Sequence, residues 1–250
     1  MKIPVSVAII TKNEEKNIKD TLESVKDFEE IVIVDSFSTD RTTEICKEYT
    51  EMIYQHEWKG FAFQKQFAID RTTLPWVLIL DADEMVTESL KKEIIKKIDS
   101  EDFDGYFIPR KNFFLDKWIR HGGWWPDYTL RLFRKDLGRM EQRSVHEKIV
   151  VNGKVGYLKE SLLHYTYRSL DEFIKKMQNY SSLSAAEIIK KNPSKGKIFL
   201  KIFFAPPFTF FKMFFLRFGF LDGLRGFMLA VLYSFYSFLK YAKAWEKLWK

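Results

Sequence analysis

Short apolar runs rich in β-branched residues alternate with amphipathic stretches through the first hundred residues. Four such runs predict strands, each followed by a polar turn: residues 5–10, 31–34, 52–54 and 76–80. Helical periodicity predicts helices at residues 14–25, 40–49 and 61–71, and a fourth at 88–98 with Thr87 as its N-cap. This alternation predicts an α/β fold with a mostly parallel sheet that helices cover on both faces.

The rest of the chain has a different pattern of predicted secondary structure. Residues 101–168 read as strands and loops, and Asn152-Gly153 between apolar runs predicts a tight hairpin. Ser169 opens a capping box for a helix that reaches Lys191, and aromatic-rich helical segments follow. We therefore divide the chain into the first half of one domain (1–110), the second half of the same domain (111–168) and a helical region (169–250).

Composition is most informative in the helical region, where it indicates a binding partner. The chain of 250 residues has a net charge of +7 and one cysteine, Cys46, so no intrachain disulfide is available. Residues 190–250 hold 12 Lys or Arg against 2 Asp or Glu, and 13 of the 24 Phe lie within residues 199–238. A nucleic-acid arm is basic but seldom so apolar, whereas a membrane-surface segment is both. We expect a membrane surface with anionic lipids as a partner, and no nucleic acid.

The same region bears on how the chain meets a membrane. Its longest uncharged stretch, residues 226–239, has 14 residues, and a spanning helix needs about 20. The first residues enter a strand pattern directly, without the apolar core of a signal peptide. We expect a monotopic protein on the cytoplasmic side of the cell membrane. The alternative for the C-terminal helices is a homo-oligomer surface.

Polar clusters follow three of the predicted strands. They are Thr11-Lys12-Asn13-Glu14, Asp35-Ser36 and Asp81-Ala82-Asp83-Glu84. In an open parallel sheet these ends form one edge where ligands bind, yet no dinucleotide or Walker motif is present. Strand alternation predicts that Asp81 and Asp83 leave on the same side, one to reach a sugar and the other Mg²⁺ or Mn²⁺. The alternative is an Asp that caps a turn.

The first 110 residues resemble the family-2 glycosyltransferases of the GT-A fold. The motifs are VAIITKNEE (7–15), IVIVDS (31–36) followed by STDRT (38–42), and LILDADE (78–84). The resemblance implies an inverting sugar transfer from a nucleotide diphosphate sugar, with Asp81 near the ribose or sugar and Asp83 on the metal. It places Thr11, Asn13, Glu14 and Asp35 around the nucleoside. Lys65 matches a basic residue beside the donor, and a solvated helix face is the alternative.

The middle segment offers candidates for the acceptor side. The stretch HGGWWPD (121–127) combines flat rings with a carboxylate, which suits sugar stacking, although a structural loop is the alternative. Arg131 and Arg134 are expected to face a diphosphate from one side of a strand, or to form ion pairs with acidic residues. An inverting displacement needs a general base, for which Asp127 and Glu147 are the candidates, while His146 is a metal or phosphate ligand. His56 and His164 receive no role.

The middle segment also resembles a subgroup that modifies lipopolysaccharide cores, through W-x-P-D, RLFR and VHE in this order. It lacks the Glu-Asp base motif of the wider family and the Gln-x-x-Arg-Trp signature of polymer synthases. The resemblance implies transfer of a single hexose to a lipid-linked glycan acceptor. The alternatives are a polyprenyl-phosphate sugar synthase and a non-catalytic membrane-bound scaffold.

Overall fold

The computed structural model describes residues 2–100, 102–141 and 148–249. The chain divides into two compact units, Met1–Arg110 with Asp127–His164, and Lys111–Pro126 with Tyr165–Lys250. The strands are β1 (Ile3–Thr11), β2 (Phe28–Asp35), β3 (Ile53–Gln55), β4 (Trp76–Asp81), β5 (Glu84–Val86), β6 (Gly105–Phe114), β7 (Lys117–Trp118), β8 (Asp127–Arg134), β9 (Gly138–Glu141), β10 (Lys148–Val151), β11 (Val155–Tyr157) and β12 (Leu162–Tyr167). The helices are α1 (Ile18–Val25), α2 (Thr42–Lys47), α3 (Phe61–Arg71), α4 (Glu88–Ile98), α5 (Leu170–Lys190), α6 (Lys195–Phe211) and α7 (Leu224–Trp249).

The sheet of the first unit is built around β1, which pairs in parallel with both β2 and β4. Side chains of β1 alternate between two apolar clusters: Val7 and Ile9 pack in one, and Ala8 and Ile10 in the other. Helices α1 and α4 contribute to the first cluster and α3 to the second. The predicted α/β layering, with helices on both faces of the sheet, is therefore confirmed.

The sheet is mixed, which corrects the expectation that it is mostly parallel. Its strand order is β3-β2-β1-β4-β8-β6-β12-β5. Parallel pairing joins the first four strands, but β8 pairs antiparallel with both β4 and β6. The alternation of strands and helices predicts only the parallel part of the sheet. Strand β8 comes from residues 101–168, where strands no longer alternate with helices.

The Asn152-Gly153 hairpin predicted from the sequence is wrong. The strand before it, β10, pairs with β9, and the strand after it, β11, pairs with β6. Asp104 holds the connection, because its backbone N–H donates to the carbonyl of Lys154 (2.7 Å) and its carboxylate accepts from the Lys154 N–H (2.8 Å). Two different partner strands thus replace the local pairing that Asn-Gly usually indicates.

Helix starts agree with the sequence where a cap is present. The Thr87 hydroxyl accepts from the N–H of Leu90 (3.2 Å) at the start of α4, and Ser169 accepts from the N–H of Glu172 (3.1 Å) at the start of α5. Helix α1 begins at Ile18, later than predicted, because the preceding residues form a loop in which the Glu14 N–H donates to the Thr42 hydroxyl (2.7 Å).

The second unit is largely helical. Helices α6 and α7 run antiparallel: Phe214 lies against Phe227 (5.7 Å between ring centroids), and Ser234 donates to the carbonyl of Pro206 (2.9 Å). The segment Lys195–Leu216 is long and apolar enough to cross a membrane by length and composition, and its most apolar 18-residue window has a mean hydropathy of 1.5. Only 11% of its most apolar window is buried, so it is not a core helix.

Candidate active site

Three strand ends of the first unit meet at one edge of the sheet, as predicted from the polar clusters. Thr11 at the end of β1 lies in register with Asp35 at the end of β2. On the other side of β1, Ile10 lies in register with Asp81 at the end of β4. The side chains that follow these strands are therefore neighbours in space.

Asp35 holds the loops that follow β1 and β2. Its carboxylate is fully buried and accepts hydrogen bonds from the Thr11 hydroxyl (2.9 Å), the Ser38 N–H (2.9 Å) and the Ser38 hydroxyl (2.5 Å). Asn13 has a positive φ of 56°, and its N–H donates to the Ser38 hydroxyl while its side-chain oxygen accepts from the N–H of Thr39 (both 2.8 Å). Asp35 thus positions the residues around it, whereas Asn13 lies exposed at the surface of the loop.

Glu14 links the same loop to the starts of two helices. Its N–H bonds to the Thr42 hydroxyl at the start of α2, and its carboxylate accepts from the side-chain amide of Asn17 (2.8 Å) just before α1. These contacts fix the orientation of the loop after β1. Thr11, Asn13, Glu14 and Asp35 are thus brought together as the sequence predicted.

Asp81 lies between two cations. Lys65 Nζ is 2.8 Å from Asp81 Oδ1, and Arg131 donates through Nη2 to Asp81 Oδ2. Burial alone would raise the pKa of Asp81, but the charges of Arg131 and Lys65 outweigh burial and hold that pKa well below its usual range. Lys65 is buried, so the solvated-face alternative is excluded for this residue.

Glu84 and Arg110 continue this line of charges to Asp127. The Glu84 carboxylate is fully buried and accepts from Arg131 Nη2 (2.6 Å), Arg110 Nη1 (3.1 Å) and the backbone N–H of Asp81 (3.0 Å). Arg110 also donates two hydrogen bonds to Asp127 Oδ2, from Nη2 (2.6 Å) and Nε (3.0 Å). Burial by itself would lower the pKa of Arg110, and the charge of Glu84 raises it.

We call this set the edge network. Its members are Lys65, Asp81, Glu84, Arg110, Asp127 and Arg131. Three cations alternate with three carboxylates, so each buried charge faces an opposite one, as burial of charges requires. The side chain of Asp127 is one-third exposed (33%), and that of Asp81 is 27% exposed. The network therefore presents two carboxylates, those of Asp81 and Asp127, partly to solvent.

Asp83 faces a different partner from Asp81. Strand β4 ends at Asp81, and Ala82 and Asp83 form a turn before β5, so the alternation used to predict a shared side does not extend to Asp83. His164 Nε2 lies 3.5 Å from Asp83 Oδ1. Strand β12 brings it there, because His164 pairs in register with Glu84.

Asp83 and His164 fit a divalent cation. One carboxylate oxygen and one imidazole nitrogen, partly buried and 3.5 Å apart, can ligate a single ion. The mixed oxygen and nitrogen donors favour Mn²⁺ over Mg²⁺, since Mg²⁺ takes oxygen ligands. Within residues 2–100, 102–141 and 148–249, no group of three or more His, Cys, Asp or Glu side chains forms a metal cage. Such an ion would therefore need ligands beyond this pair.

The two arginines of β8 separate. Arg134 Nε lies 3.7 Å from Asp104 Oδ1, and its guanidinium stacks on Trp76 (5.3 Å). The prediction that Arg131 and Arg134 face the same side of the strand is therefore wrong. An offset of three residues in a strand reverses the face, which is the physical reason. For Arg131, the ion pairs that the sequence left as an alternative are the ones formed. His146 and Glu147 lie outside the described residues.

The HGGWWPD stretch gives its two tryptophans different roles in the second unit. Trp124 is buried in an apolar cluster with Phe114 and Phe173, so it anchors the loop. Trp125 is half-buried and lies edge-on against Trp118 (5.3 Å between ring centroids). The structural-loop alternative therefore describes Trp124, and sugar stacking stays a prediction for Trp125.

Three site residues were missed by reasoning from the sequence: Glu84, Arg110 and His164. Glu84 was visible as part of the DADE cluster, and its place after an apolar strand was the available signal. Arg110 and His164 carry no local signal, because only strand pairing brings β6 and β12 to this edge.

Comparisons with known proteins show what the chain is similar to. A family model described as glycosyl transferase family 2 matches residues 6–166. The chain is 34% identical to a lipopolysaccharide core biosynthesis glycosyltransferase, LpsC, of Rhizobium meliloti (strain 1021), covering 98% of this chain and 93% of that protein. It is 30% identical to an uncharacterized glycosyltransferase of Rickettsia felis, covering 98% and 91%. Among solved structures, residues 1–349 of S. aureus TarS in complex with UDP-GlcNAc align with a TM-score of 0.52 at 17% identity, covering 99% of this chain and 91% of that one. This last likeness shows the fold.

Proposed function

The chain belongs to glycosyl transferase family 2, and on that premise we propose that it transfers a single hexose from a nucleotide diphosphate sugar to a lipid-attached glycan, with inversion at the anomeric carbon. The observation that carries the proposal is the edge network beside the Asp83–His164 pair, at the ends of the strands where the family motifs lie. The setting is the cytosolic leaflet of the cell membrane.

The donor lies along the loops after β1, β2 and β4. Thr11, Asn13 and Glu14 surround the nucleoside, and buried Asp35 fixes this loop through its hydrogen bonds to Thr11 and Ser38. Asp81 accepts from the ribose or sugar while Lys65 and Arg131 place positive charge beside the diphosphate. Arg131 Nε is buried with no hydrogen-bond partner within the described segments, and a phosphate oxygen would satisfy it.

Asp83 and His164 hold the divalent cation in this proposal. When bound, a divalent ion neutralises the charge that develops on the leaving diphosphate. The two protein ligands keep that charge at the end of β4, next to the cations of Lys65 and Arg131. His146 remains a proposed further ligand, since it lies outside the described residues.

Asp127 is the proposed general base. The acceptor hydroxyl oxygen attacks the anomeric carbon, the bond from that carbon to the diphosphate oxygen breaks, and the hydroxyl proton passes to the Asp127 carboxylate. Arg110 orients Asp127 with two hydrogen bonds to Oδ2 and is itself fixed by buried Glu84. Glu147 is the competing candidate for this role.

The acceptor is inferred from similarity along nearly the full chain. The printed name of the Rhizobium meliloti relative assigns it to lipopolysaccharide core biosynthesis. We extend that acceptor class, a glycan attached to a lipid, to this chain. A polyprenyl phosphate acceptor would use the same donor site, and it is an outcome of the experiment below.

The test is a transfer assay with purified protein, Mn²⁺, a panel of radiolabelled nucleotide diphosphate sugars and a truncated lipopolysaccharide acceptor. We expect label in the acceptor with the wild type and at least a hundredfold less with Asp83→Ala. The matched control is Asp70→Ala, at an exposed carboxylate on α3, which should transfer normally. An Asp83→Ala protein as active as the wild type would refute the proposal. In a parallel reaction a polyprenyl phosphate replaces the lipopolysaccharide acceptor, and label incorporated only there would identify polyprenyl phosphate as the acceptor instead.

A further inference from the structure

Helix α6 and the turn after it present a stripe of large apolar side chains to solvent. The members are Leu200, Phe204, Phe208, Phe211 and Phe215, and each side chain is 48–68% exposed. Spacings of four, four, three and four residues place them on one side of the helix. We propose that this stripe, the lipid face, inserts into one leaflet of an anionic bilayer, with α6 lying in the plane of the membrane.

The chain beyond α6 extends the same apolar surface. Between the π-helical turn Lys212–Leu216 and the start of α7, four more large apolar side chains are exposed: Phe218, Phe220, Leu221 and Leu224. So many exposed large apolar side chains within one short segment are unusual for a surface in water. Insertion at the headgroup boundary removes it from water without a further protein chain.

Positive charge borders the lipid face and selects an anionic surface. Lys201 and Lys212 are eleven residues apart, which is three helical turns, so they lie on one side of α6 next to the stripe. Neither forms an ion pair within the part of the chain that the structure describes. Lysines at this position can extend to phosphate while the rings enter the acyl region.

The packing of the second unit favours an in-plane helix over a spanning one. The side of α6 opposite the stripe packs on α7, where Ile198 and Ala244 share a buried cluster. Helix α7 is bound in turn to α5: the hydroxyls of Ser184 and Tyr236 lie 2.7 Å apart. Helix α5 carries exposed charges such as Asp171 and Glu172, which a unit crossing the bilayer would have to bury. An in-plane position leaves them in water.

Vesicle co-sedimentation tests the lipid face, and it needs neither donor nor acceptor, so its result is separate from the proposed transfer activity. The probe is vesicles of phosphatidylcholine with 30% phosphatidylglycerol. We expect Phe204→Glu/Phe208→Glu to lower the bound fraction at least tenfold. The matched control is Ile174→Glu/Leu183→Glu, which changes two exposed apolar residues of α5 and should bind like the wild type.

Two outcomes would overturn the proposal. One is unchanged vesicle binding by Phe204→Glu/Phe208→Glu. The other is a change from dimer to monomer in sedimentation equilibrium with vesicle binding retained, which would make the face a contact between copies of this chain. Circular dichroism of each variant checks that the helices remain.

The lysines give a second, independent readout. Each basic residue near an anionic surface contributes about fivefold in binding. Lys201→Gln/Lys212→Gln should therefore weaken binding to the phosphatidylglycerol vesicles by about twenty-five-fold and reduce its salt dependence. Equal binding of this variant and the wild type at low salt would contradict a role for these charges.

Depth measurements separate an in-plane helix from a spanning one. A fluorophore is attached to Cys introduced at Leu200, Phe208 or Phe215, and quenchers at known depths in the bilayer report its position. The native Cys46 is buried, and burial raises the pKa of its thiol to about 12, so background labelling is small. We expect the three labels at one shallow depth. A central label much deeper than the two outer ones would show a spanning helix.

Discussion

The Nε2 atom of His164 lies 3.5 Å from Oδ1 of Asp83, although one residue comes from strand β12 and the other from the turn after β4. Antiparallel pairing of β12 with β5 makes this possible, because it sets His164 beside Glu84. In the proposed function the pair would supply one nitrogen and one oxygen ligand to a divalent cation. Its contribution to metal binding can be measured directly.

His164→Ala should weaken Mn²⁺ binding in the presence of UDP by at least tenfold, and Mg²⁺ binding by less, because imidazole is a poorer ligand for Mg²⁺. Isothermal titration with each metal, with and without UDP, provides the measurement. Little Mn²⁺ binding is expected without UDP, since two protein ligands alone make a weak site. If His164→Ala binds Mn²⁺–UDP as tightly as the wild type, the histidine is not a ligand.

Asp127→Asn should lower kcat by 10²–10⁴ and leave donor binding unchanged, because a general base acts on the acceptor hydroxyl. Steady-state transfer rates and UDP-sugar titration separate the two effects. Glu147→Gln is the matched comparison, since the sequence left both carboxylates as candidates. Loss of kcat in Glu147→Gln, with activity retained in Asp127→Asn, would move the base to Glu147.

Arg131→Met should destabilise the fold by about 3–5 kcal/mol, because it leaves the buried carboxylate of Glu84 and the partly buried carboxylate of Asp81 without their shared cation. Arg134→Met, three residues along the same strand, should cost less than about 1 kcal/mol, since Arg134 is one-third exposed and its nearest carboxylate lies 3.7 Å away. Urea unfolding gives both values. Equal losses in the two variants would refute the distinction between them.

Acid should destabilise the wild type partly through Asp81. The folded-state pKa of this carboxyl lies below its unfolded value of about 3.9, so the stabilisation is fully present above that pH and is lost as pH falls towards the folded pKa. Asp81→Asn should therefore show a shallower fall in unfolding free energy between about pH 5 and pH 3. Urea titrations across this range measure the slopes, with Asp70→Asn as the control. Identical slopes for Asp81→Asn and the wild type would contradict the ion pairs.

Much of the architecture could be predicted from local patterns. Helix α4 begins and ends at the residues that periodicity and the Thr87 cap indicated, and β4 matches its apolar run to within one residue. The polar clusters after β1, β2 and β4 also meet where they were expected. The Asn152-Gly153 hairpin failed, because a turn signal cannot say which strand will supply the hydrogen bonds.

What the sequence by itself determined is the order of strands and helices and the edge on which Thr11, Asp35 and Asp81 meet, since periodicity, caps and turn residues act over a few neighbouring residues. What only the tertiary structure decided is the partner of each charge: Arg131 with Glu84, Arg110 with Asp127, and His164 with Asp83. Those pairs depend on the antiparallel insertion of β8 between β4 and β6, and on the register of β12 against β5. Strand pairing between distant segments is a non-local choice, set by burial of the whole sheet, and it leaves no mark in the spacing of nearby residues.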